Sequence, residues 1–146
     1  MNDEKDILLI EDNLDDVELT RIAFAEAGMG DRLMVVSDGA AALDYLFARG
    51  RYVDRDPLQL PSIVLLDLNL PKVDGREVLQ AIRENLLTKT LPVVVLTTSA
   101  EPFDVEASYA LGANSYIQKP VDFEQFVGAV KQVGLYWLVL NRSREE

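Results

Sequence analysis

The chain has 146 residues, enough for one compact α/β domain with a sizeable core and too few for a second substantial one. Apolar residues make up 49% and charged residues 27%, which excludes a disordered chain, and no apolar run approaches the roughly 20 residues of a membrane helix. A formal net charge of −11 argues against nucleic acid or anionic membrane as partner; the absence of cysteine removes thiolate chemistry, and the absence of histidine removes imidazole catalysis, imidazole metal ligation and phosphohistidine.

Ile7–Ile10 reads as a short buried strand ending on Glu11 and Asp12. Val17, Thr20 and Phe24 then lie at three and four spacing and, with Ile22, predict a first helix that starts near Leu14 with Asp12 or Asn13 as its cap. Gly28-Met29-Gly30 lacks the third glycine and preceding strand of a dinucleotide loop and reads as a turn. Leu33–Val36 is the second strand, ending on Ser37 and Asp38. Residues 48–61 are turn-rich and charged, a connection longer than a minimal one, which reads either as a solvated insertion or as a partner contact. Ile63–Leu66 is the third strand and ends on Asp67; Val78, Leu79 and Ile82 mark the helix after it. The fourth strand, 93–96, ends on Thr97 and Thr98, and the fifth, around Tyr116 and Ile117, ends on Lys119 and Pro120. Five β-α repeats predict a doubly wound parallel sheet with helices on both faces, whose chemistry belongs at the carboxyl ends of the strands.

Those ends carry an acid pair, an aspartate, a threonine and a lysine. The doubly wound topology sets the first strand beside the third, so Glu11, Asp12 and Asp67 converge, and three carboxylates together repel one another and raise one another's pKa. Mg²⁺ is the natural remedy, since it favours an oxygen shell of carboxylates, waters and phosphate oxygens. An aspartate can attack phosphorus to form an acyl phosphate, with Lys119 and the hydroxyl of Thr97 placed to neutralise the phosphoryl oxygens. Each residue alone has an ordinary structural reading, as a cap, turn or strand former; the ordered set on matching strand ends carries the functional one.

With these residues in view the chain resembles the response-regulator receiver domains of two-component signalling, over about residues 5–140. The resemblance lies in LLIEDN with Glu11 and Asp12, LLDLNLPKVDG around Asp67, VVLTTSA with Thr97, and ANSYIQKPVD with Tyr116 and Lys119. Thirty positions separate Asp67 from Thr97 and twenty-two separate Thr97 from Lys119, as in that family. It implies an α/β flavodoxin-like fold with strand order 2-1-3-4-5 and five helices, Asp67 as phosphoacceptor, and Mg²⁺, for which Mn²⁺ could substitute, held by Glu11, Asp12, Asp67 and the main-chain carbonyl of Asn69. It further implies Thr97 and Tyr116 as paired switch residues and a partner histidine kinase as donor. The LTTSAEP run, the 48–61 loop and VDFEQF are most similar to small phytochrome-associated response regulators, which implies a phytochrome-type kinase.

Residues 1–146 are expected to form a single cytoplasmic receiver domain without an output domain, so that phosphorylation is read by another protein or by self-association. LYWLVL at 135–140 would make a terminal helix apolar all round, which points to a homodimer through the fourth helix, fifth strand, fifth helix and this segment, with Tyr136 and Trp137 at the interface. The enzymatic rival is a haloacid-dehalogenase-type phosphatase, whose second aspartate is replaced here by Asn69, a residue unable to act as acid or base. The other rival is a degenerate receiver that binds partners without phosphorylation; none of the five key positions is altered.

Overall fold

Strands whose two faces are both covered need no polar alternation, and ILLI and IVLL meet that condition. In the computed structural model, which describes residues 7–97, 102–119 and 122–134, they form β1 (Ile7–Ile10) and β3 (Ile63–Leu66), buried at every position. β2 (Leu33–Val36), β4 (Val93–Thr97) and β5 (Ser115–Gln118) complete an all-parallel sheet in the order β2-β1-β3-β4-β5. Ile7 is level with both Leu33 and Ile63, and Val95 with Tyr116. The order and the five strands are those the sequence predicts; β4 runs one residue further, to include Thr97.

Side chains alternate between two cores. Leu8, Ile10, Val64, Leu66, Val93 and Val95 meet α2 (Gly39–Leu46) and α3 (Gly75–Glu84) through Leu46, Val78, Leu79 and Ile82. Ile7, Leu9, Leu65, Val94 and Leu96 meet α1 (Leu14–Glu26) and α5 (Phe123–Gly134) through Val17, Phe24 and Phe126. Each such fully buried aliphatic or aromatic side chain contributes about 1.5–3 kcal/mol relative to exposure. α4 (Pro102–Ala110) connects β4 to β5.

Local chemistry sets the helix starts. Asn13, rather than Asp12, caps α1, its Oδ1 accepting from the Asp16 N–H at 3.0 Å; Asp38 and Asp74 cap α2 and α3 in the same way. One residue of the expected first-helix stripe is misassigned. Ile22 is 44% exposed, because the buried face runs through Val17, Thr20, Ala23 and Phe24, and a residue two places after Thr20 turns roughly 200° away from it.

Within the 48–61 connection Tyr52 and Arg55 pack back on α2, while most of the other side chains are exposed. A 3₁₀ turn at Gly50–Tyr52 sets the Tyr52 ring edge-on to Tyr45, centroids 5.1 Å apart. The Arg55 guanidinium lies 4.0 Å from the centre of the Tyr45 ring, donates to the Tyr45 carbonyl and donates to the Gln59 carbonyl at 2.6 Å. At the amino-terminal end of the sheet Arg83 performs a similar service, donating to the carbonyls of Leu91 (2.7 Å) and Gly112 (2.6 Å) and to Asn114 Oδ1 (3.0 Å). Asn114 Oδ1 in turn accepts from the Val93 N–H, so α3, β4 and the turn before β5 are bound at one point.

Tyr136 and Trp137, with the rest of the apolar run at 135–140, lie outside the described residues, as do Thr98, Ser99 and Pro120. No described helix is long and apolar enough to cross a membrane.

Candidate functional site

Glu11, Asp67 and Lys119 each follow the last residue of their strand, and Thr97 ends its own, so all four stand at one rim of the sheet. Pairing continues past the strand ends to fix them: the Glu11 N–H donates to the Val36 carbonyl (3.0 Å), that of Asp67 to Ile10 (3.0 Å) and that of Lys119 to Thr97 (2.6 Å). The loop after Asp67 is pressed against it by a glycine. A Cβ on Gly75 would lie 2.3 Å from the Asp67 carbonyl oxygen and 2.5 Å from Leu68 Cα, so only glycine lets α3 begin there. Gly39 does the same at the other side of that loop, where a Cβ would meet the Val73 carbonyl oxygen at 1.9 Å.

The three acids converge as expected. Glu11, Asp12 and Asp67 each offer a carboxylate oxygen within 4.8 Å of the other two, with Glu11 and Asp67 buried and Asp12 exposed. Burial pushes the Glu11 carboxyl up to about 7 from its ordinary 4.5; the neighbouring Asp67 adds to the rise and Lys119 opposes it. Carboxylate oxygens gathered this closely, two buried and one open to water, are the donor set a hard divalent cation takes, and the energetic strain on Glu11 is what such a cation would relieve. Main-chain and side-chain groups of Asn69 attend the same space: its N–H donates to Asp67 Oδ1 at 3.3 Å and its amide to Thr97 Oγ1 at 3.5 Å.

Lys119 faces three carboxylates, and its ion pair with Asp67 is the longest of the three. Its Nζ donates to Glu11 Oε1 and, at 2.8 Å, to Asp16 Oδ2, while Asp67 Oδ2 is 3.6 Å away. Burial lowers the pKa of this ammonium, but the hydrogen bonds to Asp16 and Glu11 and the charge of Asp67 outweigh that, holding it above its ordinary range. The side chain is charged and only 8% exposed. Asp16 is the site residue that strand-end reasoning misses. It lies in the first turn of α1, four places beyond Asp12, where an acid is already explained by the helix dipole.

Thr97 is fully buried, and Tyr116 is half-buried against the core that faces α2 and α3. Tyr116 therefore stands two residues before the register partner of Thr97, which is Gln118, on the neighbouring strand. A further contact spans the rim: Arg76 of α3 donates to Asp104 of α4 at 2.8 Å.

Comparison with known proteins assigns this arrangement. "Probable methanogenesis regulatory protein FilR2" of Methanothrix harundinacea is 44% identical over 137 residues, covering 94% of this chain and 86% of that one. The response regulator Rcp1 of Synechocystis is 41% identical over 94% of this chain and 91% of its own; its Mn²⁺-bound structure superposes with a TM-score of 0.81, covering 93% of this chain and 96% of that one. The phosphorylated cyanobacterial phytochrome response regulator RcpA superposes with a TM-score of 0.83 at 40% identity, covering 95% of this chain and 97% of its own. Residues 7–131 match the family model described as "Response regulator receiver domain", and with the acid pair, the strand-end aspartate and the buried lysine in their places, the chain belongs to the response regulator receiver family.

Proposed function

We propose that the protein takes a phosphoryl group from a partner histidine kinase onto Asp67. The observation that carries this reading is the setting of the Asp67 carboxylate, between the acid pair and the Lys119 ammonium at the carboxyl end of the central strand. An Asp67 oxygen attacks phosphorus, the bond from phosphorus to the donor nitrogen breaks, and the product is an acyl phosphate. Glu11, Asp12, Asp67 and the main-chain carbonyl of Asn69 would hold Mg²⁺ or Mn²⁺, which supplies charge neutralisation at the phosphoryl oxygens when bound. Lys119 meets one phosphoryl oxygen and the Thr97 hydroxyl another. Reorientation of Thr97 frees space into which the half-buried Tyr116 ring moves, which alters the α4-β5-α5 surface.

Incubation with Mg²⁺ and acetyl phosphate, read by intact mass, tests the assignment. One added phosphoryl group that disappears in Asp67→Asn is the expected result. No adduct with any donor would favour a degenerate receiver, and turnover of many phosphate esters a phosphatase. A phytochrome-type kinase is the donor we assign, supported by the likeness to RcpA and Rcp1; phosphotransfer from a phytochrome kinase that responds to red light is its test, and transfer only from kinases without a photoreceptor refutes it. For output we propose a homodimer in which the apolar 135–140 segment joins α4, β5 and α5, with Tyr136 and Trp137 at the interface. In size-exclusion chromatography, Tyr136→Ala with Trp137→Ala should elute as a monomer; an unchanged dimer peak removes the proposal.

A further inference from the structure

Lys119 has three N–H donors and three carboxylates within reach, and the one it approaches least is the phosphoacceptor. Glu11 and Asp16 take two donors, and Asp67 Oδ2 stays at 3.6 Å, outside hydrogen-bond distance. Asp16 is well fixed for this role. Its N–H is held by the Asn13 side chain at 3.0 Å, and its carbonyl accepts from the buried Thr20 hydroxyl at 2.7 Å, so the first turn of α1 is anchored on both sides of the carboxylate. Glu11 alone could not hold the ammonium in this place. It is also a member of the acid cluster, and an oxygen drawn toward a cation is a weaker partner for a lysine. Asp16 lies outside that cluster and remains an acceptor throughout.

From this geometry we infer that Asp16 is a positioning residue for phosphoryl transfer, holding the Lys119 ammonium close enough to receive a phosphoryl oxygen while keeping it outside hydrogen-bond distance of Asp67 Oδ2. This rests on the reading of Asp67 as phosphoacceptor. Without Asp16, the ammonium moves the short distance onto Asp67 Oδ2, ties up a lone pair and withdraws charge from the attacking oxygen. The phosphoryl group then has to displace that bond before it can form its own.

The test is the rate of phosphorylation by acetyl phosphate, followed by intact mass across a Mg²⁺ titration, in wild type, Asp16→Ala, Asp16→Asn and Asp16→Glu, with thermal unfolding as a check on folding. The rate at saturating Mg²⁺ should fall about tenfold in Asp16→Ala, the size of one hydrogen bond gained by the ground-state nucleophile, with the half-saturating Mg²⁺ concentration changed less than the rate. Asp16→Glu should recover part of the loss, and Asp16→Asn, with a neutral acceptor, less. The loss should vanish in a Lys119→Ala background, where uptake is slower for both partners of the comparison and is followed over hours. An unchanged rate in Asp16→Ala overturns the inference, as does an equal loss with and without Lys119; if Asp16→Ala does not fold, the same comparison is made with Asp16→Asn. Failure of wild type to gain a phosphoryl group that Asp67→Asn lacks would instead defeat the phosphoacceptor reading itself.

Discussion

Replacing Glu11 by glutamine should make the metal-free protein more stable at alkaline pH while removing its response to Mg²⁺. The Glu11 carboxyl has an ordinary pKa of 4.5 and is pushed up to about 7 in the fold, chiefly by burial. A carboxyl whose folded value is raised favours the folded state most below 4.5, and that advantage is lost as pH climbs from 4.5 through about 7. At about 1.4 kcal/mol per pH unit, keeping Glu11 ionised at pH 8 costs the fold about 3 kcal/mol, against about 1 kcal/mol at pH 5.5. Glutamine mimics the protonated side chain, can still accept from Lys119, and does not titrate. For a chain of this length the gain at pH 8 corresponds to roughly 6–12 °C in Tm, shrinking to a few degrees at pH 5.5. Mg²⁺ at about 100 times the wild-type dissociation constant should add about 2.7 kcal/mol to wild type and little to the variant, which has lost a ligand. Differential scanning fluorimetry at the two pH values, with and without Mg²⁺, reads all four quantities. A lower Tm for Glu11→Gln at pH 8 would refute the argument from burial, and an undiminished Mg²⁺ shift would remove Glu11 from the cation site.

Two further outcomes follow from the frame around the site. Arg83→Ala leaves the carbonyls of Leu91 and Gly112 without their half-buried donor, and chemical denaturation should show a loss of about 1–3 kcal/mol with little change in the rate of phosphorylation of the folded fraction. Gly75→Ala forces a methyl group to 2.3 Å from the Asp67 carbonyl oxygen, so it should both lower stability by about 1–3 kcal/mol and slow phosphorylation, a pairing that Arg83→Ala lacks; normal uptake in a folded Gly75→Ala protein would show that the loop can give way.

The strands were legible because parallel strands covered on both faces leave unbroken apolar runs, and ILLI and IVLL are exactly bounded by the acids that follow them. The residues at or just past the strand ends named Glu11, Asp12, Asp67, Thr97 and Lys119, and the structure brings the corresponding side chains to one rim. Asp16 was hidden by its own good manners: a first-turn acid satisfies the helix dipole and requires no second explanation. The packing of the 48–61 loop was hidden for a different reason. Arg55 and Tyr52 reach Tyr45 across seven to ten positions by stacking and main-chain hydrogen bonds, and neither leaves a periodic trace in sequence. Ile22 misled because a hydrophobic residue on the water-facing side of a helix has the same letter as one in the core.

The Arg83 knot has a mechanical meaning. It rivets α3, the start of β4 and the turn before β5 at the end of the sheet remote from Asp67, while nearer Asp67 the Arg76–Asp104 pair links α3 to α4. A lever so mounted has its fulcrum at one end and its free travel at the other. On the switch role proposed for Thr97, displacements that begin there are expected to move the outer surface of α4 rather than to loosen the whole sheet.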